Sequence, residues 1–257
     1  MSTPACRVRS YNTARLRVAL VVCALLAAVS QLATAQNEPS RDPILRIETG
    51  MHTSPVHQIG VDAKGRFLVT ASEDKTVRVW EFPSGRLLRT IRVPSNTGYD
   101  GRLYAMALSP DGTTIAAGGW TSESGLDTNI YLFDRESGRL IRRLSGVPNL
   151  VQHLVYSPDG RFLAATLGGK NGVRVYQTSD YAAVGEDKDY GDQSYGADFD
   201  RADRLVTICW DGFVRLYATP GGSGALRLLA KENVAGERAT SVSFSLDGSR
   251  IAVGFDE

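Results

Sequence analysis

The run Ala71-Ser72-Glu73-Asp74-Lys75-Thr76-Val77-Arg78-Val79-Trp80-Glu81 constrains this chain more than any other, because its turn, its alternating strand and its closing aromatic recur down the sequence. Turns of the x-Asp-Gly-x type fall at Gly65, Gly112, Gly160, Asp203 and Gly248, spaced 47, 48, 43 and 45 residues apart. Aromatics that close alternating runs follow at Trp80, Phe133, Tyr176 and Tyr217. A fixed period in this range means one supersecondary unit repeated, each copy burying its apolar face against the next.

Every copy reads as strands. In the first, Val56 to Val61 is apolar, Ala63-Lys64-Gly65-Arg66 turns it back, and Phe67 to Ala71 is an almost continuous apolar run, the mark of a strand covered on both faces. Val77-Arg78-Val79-Trp80 alternates with period two. Pro83-Ser84-Gly85 breaks it, and Arg86 to Ile91 forms a more polar outer strand. Ser109-Pro110-Asp111-Gly112 and Ser157-Pro158-Asp159-Gly160 repeat the turn chemistry, with Pro presetting φ and Gly admitting φ above zero. The fourth copy has Asp203 where the others carry Gly, and a fifth begins at Ser241. The expected fold is all-β, with blades of four strands at about 51–93, 101–145, 149–188 and 192–232 and a partial fifth at 237–257.

The strings Ser72-Glu73-Asp74-Lys75-Thr76-Val77-Arg78-Val79-Trp80, Ser109-Pro110-Asp111-Gly112 and Ser157-Pro158-Asp159-Gly160 resemble those of the WD-repeat β-propellers, over roughly residues 44–257. The resemblance implies a buried hydrogen-bonded set in each blade, which in the first would be His52, Ser72, Asp74 and Trp80. Met51 interrupts the family's Gly-His dipeptide, and in the fourth blade Cys209, Asp211 and Tyr217 take three of those places with no His. Such sets satisfy buried polar groups and catalyse nothing. The resemblance also implies more blades than four and a half, so the ring is expected to be incomplete. Ile44 to Glu48 reads as the outer strand of a last blade whose other strands would come from the C-terminal side. The chain is therefore expected to be part of a longer protein, or a truncated product whose open edges oligomerise or aggregate.

Signatures of chemistry are absent. The sequence has no Gly-x-Ser-x-Gly elbow, no His-Glu-x-x-His, no phosphate loop and no Cys pair at metal spacing. His57 and His153 fall in opening strands and read as strand residues, and Cys209 aligns with Ser72 and reads as structural. Glu186, Asp187, Asp189, Asp192, Asp198, Asp200 and Asp203 crowd into 18 residues. A solvated connection is the plain reading; a calcium site is the alternative, although the spacing is not that of an EF-hand loop. No cofactor or metal is expected. The near-neutral charge, 29 Lys and Arg against 28 acids, lacks the strongly basic footprint of a nucleic-acid binder.

Binding of a protein or peptide remains, and the resemblance implies that it occurs on the face where the loops before the first strand and between the second and third strands gather. Counting from the turn marks puts Pro55, His57, Glu73, Arg102, Tyr104, Gln152, Tyr195, Trp210 and Arg238 there, with Leu150, Gln193 and Thr240 between them. Several are aromatic or Arg, the types that dominate binding energy. The second copy is six residues longer between Gly112 and Phe133 than the first is between Gly65 and Trp80, so Trp120 is expected in an inserted contact loop, or folded back over its blade. The leading expectation is a noncatalytic scaffold. The chain also resembles the N-terminal propellers of bacterial caspase-like peptidases, so the alternative is a targeting or regulatory propeller of an enzyme whose catalytic domain lies beyond residue 257.

Residues 1–35 are a separate object. Arg7, Arg9, Arg15 and Arg17 without an acid, the apolar run Val18 to Val29, and Ala33-Thr34-Ala35 before Gln36 match the three parts of a secretory signal, with 36–43 as a linker. The apolar run is shorter than the roughly 20 residues a spanning helix needs. An uncleaved anchor and a transit peptide are the alternatives. Cleavage would leave 222 residues with 25 basic side chains against 28 acids, and Cys209 as the one cysteine, so no intramolecular disulfide could form even in a periplasmic or extracellular compartment. Protein recovered from an exporting host should therefore start at Gln36 by mass spectrometry; a soluble cytoplasmic product that retains Met1 would refute export.

Overall fold

The computed structural model describes residues 50–122, 128–219, 226–234 and 238–256, all within a unit spanning Glu48–Glu257. The expected signal segment, the linker and the outer strand at 44–48 lie outside the described residues. Four antiparallel sheets of four strands follow one another in chain order. The first holds β1 (Val56–Val61), β2 (Phe67–Ser72), β3 (Thr76–Glu81) and β4 (Leu87–Arg92). The second holds β5 (Arg102–Leu108), β6 (Thr114–Trp120), β7 (Thr128–Asp134) and β8 (Leu140–Val147). In the third are β9 (Val151–Tyr156), β10 (Phe162–Leu167), β11 (Val173–Gln177) and β12 (Ala183–Asp187), and in the fourth β13 (Ser194–Phe199), β14 (Arg204–Cys209), β15 (Phe213–Ala218) and β16 (Arg227–Asn233). A two-stranded sheet, β17 (Ala239–Phe244) with β18 (Ile251–Phe255), opens the fifth. Among the described residues no sheet closes on itself, and the arrangement is that of an incomplete propeller.

The turn marks have one cause. Gly65, Gly112, Gly160, Asp203 and Gly248 all have positive φ, between 58° and 76°, and each donates its N–H to the carbonyl three residues back. Asp203 reaches this left-handed region at 58° because Asp is among the few side chains that tolerate it. The residue that opens each turn then takes up the backbone N–H that the turn leaves over. Asp62 accepts from Arg66 and Phe67, Asp200 from Ala202 and Arg204, and Ser109, Ser157 and Ser245 do the same with a hydroxyl. Arginines that follow the marks tie one turn to the next: Arg66 donates to Asp111 O, Arg161 pairs with Asp203, and Arg204 donates to Gly248 O at 2.6 Å.

Blades meet face to face through apolar layers. Val69, Val77 and Ile91 of the first pack against Leu103, Met106 and Ile115 of the second; Ile130 and Leu132 meet Leu154 and Leu163; Ala164 and Val175 meet Phe199 and Leu205; Val206 and Ile208 meet Val242 and Val253. The second and third strands are the most buried, as their unbroken apolar runs require.

Inner strands β1, β5, β9, β13 and β17 succeed one another around the axis. Each carries a bulge at the same place. The register skips from Val56 to Gln58, from Leu103 to Ala105, from Val151 to His153, from Ser194 to Gly196 and from Ala239 to Ser241, leaving His57, Tyr104, Gln152, Tyr195 and Thr240 unpaired. A bulge breaks the pleat and re-aims the extra residue's side chain.

Gln58 links three inner strands. Its Nε2 donates to Leu154 O at 2.7 Å, and its Oε1 accepts from Met106 N at 3.0 Å and Leu154 N at 3.4 Å. Gln58→Leu would leave these backbone groups without the amide and should cost about 1–3 kcal/mol in chemical denaturation. An unchanged unfolding midpoint would show that solvent replaces the amide.

Candidate functional site

In the first blade Asp74 turns β2 into β3. Its Oδ1 accepts Thr76 N at 3.0 Å and Thr76 Oγ1 at 2.6 Å, and its Oδ2 accepts Thr53 N at 3.1 Å and lies 2.9 Å from His52 Nδ1. Burial pushes this carboxyl up, but those hydrogen bonds outweigh it and hold it below its usual range. His52 Nε2 sits 2.7 Å from Thr70 Oγ1, and Trp80 Nε1 donates to the same oxygen at 2.9 Å. With a neutral imidazole the relay runs from Trp80 to Thr70 to His52 to Asp74. Ser72, expected in this chain of bonds, is beside it: its hydroxyl donates to Ser54 O and accepts Asp74 N. Thr70 and Ser72 share one face of β2, and alternation alone does not distinguish them.

The fourth blade fills the corresponding places with different chemistry, and its closing aromatic, Tyr217, donates to Asp187 Oδ2 at 2.8 Å rather than to the strand threonine. Tyr190 OH lies 2.6 Å from Thr207 Oγ1 and 3.0 Å from Tyr217 OH, so Tyr190 takes the place that lacked a His. Arg215, 1% exposed, grips both oxygens of Asp211 at 3.1 and 2.6 Å, donates to Asp189 O and lies 4.0 Å over the Tyr190 ring. Cys209 repeats the bonds of Ser72, donating to Asp192 O and accepting Asp211 N. Burial pushes its thiol up to about 11, which leaves little thiolate near neutral pH.

The bulged residues converge on a cavity of 440 Å³ at the mouth of the axis, lined by His57, Tyr104, Gln152, Tyr195 and Thr240 together with Gln58, Leu150, His153 and Gln193. His57 Nε2 lies 2.8 Å from Glu73 Oε1, and Arg102 Nη1 holds Glu73 Oε2 at 2.6 Å. The His57 ring rests against Tyr104 with centroids 4.6 Å apart, and Arg102 also covers Tyr99 at 4.3 Å. Gln152 donates to Gln193 at 2.7 Å. Tyr195 stacks on Trp210 at 4.3 Å and 17°, and the Arg238 guanidinium covers Trp210 at 4.6 Å. His153 is half-buried beside Gln58, and burial pushes its imidazole down to about 4, so it is neutral at physiological pH.

Of the remaining residues expected on this face, Pro55 is exposed and its carbonyl accepts Glu73 N. Trp120 is not in a loop. It is the last residue of β6, pairs with Arg102 and is 41% exposed, while the extra residues Glu123 to Asp127 lie outside the described ones. The acid-rich stretch is divided among separate partners: Glu186 with Arg174 and Lys188, Asp187 with Tyr217, Asp189 with Lys231, Asp200 with Arg204 and Asp203 with Arg161. Asp198 instead accepts Ser243 Oγ and Phe244 N from β17. Among the described residues no group of three or more His, Cys, Asp or Glu gathers to hold a metal ion.

The Asp211 cluster has a pH signature. Burial pushes the carboxyl up, yet hydrogen bonds from Arg215, Gly191 N and Phe213 N bring it down to about 2 from an ordinary 3.8. Because the folded value is the lower one, its contribution to stability is complete above pH 3.8 and lost as pH falls through about 2. Urea midpoints should decline across that window, and less steeply in Asp211→Asn at its own lower stability. Parallel curves for the two proteins would show that this carboxylate does not drive the acid limb.

Comparison with known proteins agrees with this geometry. The family model described as WD domain, G-beta repeat, matches residues 45–81 and 86–134. Coronin-7 of Rattus norvegicus is 29% identical over 203 residues, covering 77% of this chain and 20% of that protein. The periodic tryptophan protein 2 homolog of Dictyostelium discoideum is 26% identical over 227 residues, 80% of this chain and 22% of its own length. Nuclear distribution protein nudF 2 of Penicillium rubens is 29% identical over 132 residues, covering 46% of this chain and 27% of that protein. The chain thus spans only a minor part, 20% and 22%, of the first two relatives. With its repeated turns, its four-stranded sheets and these matches, the chain is similar to the WD-repeat β-propellers, and residues 45–81 and 86–134 carry their repeat.

Proposed function

We propose that this chain is an exported, noncatalytic scaffold that docks a protein or peptide at the mouth of its blade fan. The observation that carries the reading is the row of five bulges, which turns one side chain from each inner strand, His57, Tyr104, Gln152, Tyr195 and Thr240, onto the same 440 Å³ cavity. A bulge re-aims the extra residue's side chain, and five at the same place bring five side chains to one mouth. Aromatic rings, amides and arginines together match the makeup of binding hot spots.

Catalysis has less support. Cys209 has a raised thiol and its hydrogen bonds go to backbone, and His153 meets the amide of Gln58 rather than a nucleophile. Export rests on the three-part N-terminal signal alone. The same mouth would serve if the propeller targets or regulates a peptidase domain of a longer protein, because docking and chemistry would then occupy different domains.

A photo-crosslinking residue tests the docking reading. Placed at Tyr104 in the exporting host, it should form an adduct with a protein or peptide, and placed at the exposed Lys64 in the turn after β1 it should not. Equal adducts from both positions, or none from Tyr104, would rule the mouth out as the docking face.

A further inference from the structure

The rim of the mouth holds three corresponding positions twice, both times with an arginine, and only the first copy has a carboxylate. Glu73 and Trp210 each directly precede a turn acid, Asp74 and Asp211. His57 and Tyr195 are the bulged residues of their blades, and Arg102 and Arg238 each stand ten residues before the turn glycine of the next blade, Gly112 and Gly248. In the first gap Glu73 receives both neighbours, His57 at 2.8 Å and Arg102 at 2.6 Å. In the later gap Trp210 stands where Glu73 would be, stacked on Tyr195 and covered by Arg238. Glu73 is thus a built-in example of what this rim does with a carboxylate, and Arg238 has the place without the acid.

We propose that Arg238 receives a carboxylate from an acidic peptide segment of the docked partner, while the Tyr195–Trp210 stack takes the side chain next to it. The inference rests on the docking reading and names the partner's chemistry. The guanidinium lies over the Trp210 ring at 4.6 Å, a contact made with the π-face that uses none of its N–H groups as donors to oxygen and leaves them for a bidentate acceptor. Arg238 is exposed, and among the described residues no carboxylate pairs with it. Its sequence neighbour Glu237 lies outside the described residues, and the nearby Asp192 accepts Gln193 N and pairs with no arginine. Gln152 and Gln193 beside the stack offer the donors and acceptors that a peptide backbone needs. A polyanion would call for a basic stripe, whereas the 222 residues that cleavage would leave carry 25 basic side chains against 28 acids.

The test is selection from a phage-displayed random dodecapeptide library on the immobilised chain. Peptides enriched in Asp and Glu should emerge, with retention about tenfold weaker on Arg238→Gln and unchanged on Lys64→Gln, in the exposed turn after β1. Trp210→Glu, which supplies Arg238 with an acid of its own, should reduce retention in the same way; Arg238→Gln keeps the test valid if that variant fails to fold. Peptides that require Tyr104 and Tyr195 but carry no excess of acids, and that ignore Arg238→Gln, would overturn this inference and leave the docking reading standing. If no enriched peptide is lost on Tyr104→Ala or Tyr195→Ala, docking at the mouth itself is overturned.

Discussion

Ladder hydrogen bonding in this fold stops at the edge of each blade, although one turn contact, Ala63 N to Pro110 O, crosses from the first blade to the second. Every sheet ladder pairs strands of one blade, so the blades are joined through apolar faces such as Val69 and Ile91 against Leu103 and Ile115, and through a small number of polar crosslinks. Apolar contact is strong but weakly directional. Angular precision between blades must come from the crosslinks, and these are placed at both ends of the blades and along the axis. Arg66, Arg161 and Arg204 tie the turns, Gln58 ties three inner strands, and Asp198 receives Ser243 and Phe244 from the next blade.

Within a blade the corresponding problem is the turn between the second and third strands, whose backbone N–H groups must be met as the chain reverses. Asp74 and Asp211 both meet it, and both also receive a loop N–H from the strand before, Thr53 N and Gly191 N. What differs is the partner that balances the carboxylate. His52 does so in the first blade, and Arg215 in the fourth, where Tyr190 has taken over the contact with the strand threonine. Two side chains there divide what one imidazole does in the first blade: Tyr190 meets the threonine, Arg215 meets the acid, and the guanidinium lies over the Tyr190 ring between them.

That substitution shows where the sequence was readable and where it was not. The turn marks were legible because positive φ admits few residue types, and Asp203 is among them. The strands were legible from period two and from the unbroken runs of the covered ones. Tyr190 was not, since it comes 17 residues before Thr207 whereas His52 comes 18 before Thr70, and nothing in a lone Tyr announces a hydrogen bond to a distant strand. Thr70 was missed because Ser72 shares its face, and the position of Trp80 across the ladder decides between them. Trp120 read as loop because the apolar alternation fades through Gly118-Gly119, yet β6 continues to pair with β5 as far as Arg102.

The mouth residues were legible as a face but not as a mechanism. A bulge is a difference in count between two strands, and a single strand's letters do not contain the count of its neighbour. Once the count is known, the arrangement separates two tasks. Backbone register fixes where the extra residue of each blade stands, so its side chain is released from the alternation of the ladder. His57, Tyr104, Gln152, Tyr195 and Thr240 are of four residue types, so the position does not demand a single chemistry. The same freedom extends to the residue before each turn acid: Glu73 closes an ion pair with Arg102, whereas Trp210 leaves Arg238 stacked and open to solvent. Recognition at this rim can therefore be rewritten one blade at a time, because the positions belong to the backbone and only the chemistry belongs to the side chains.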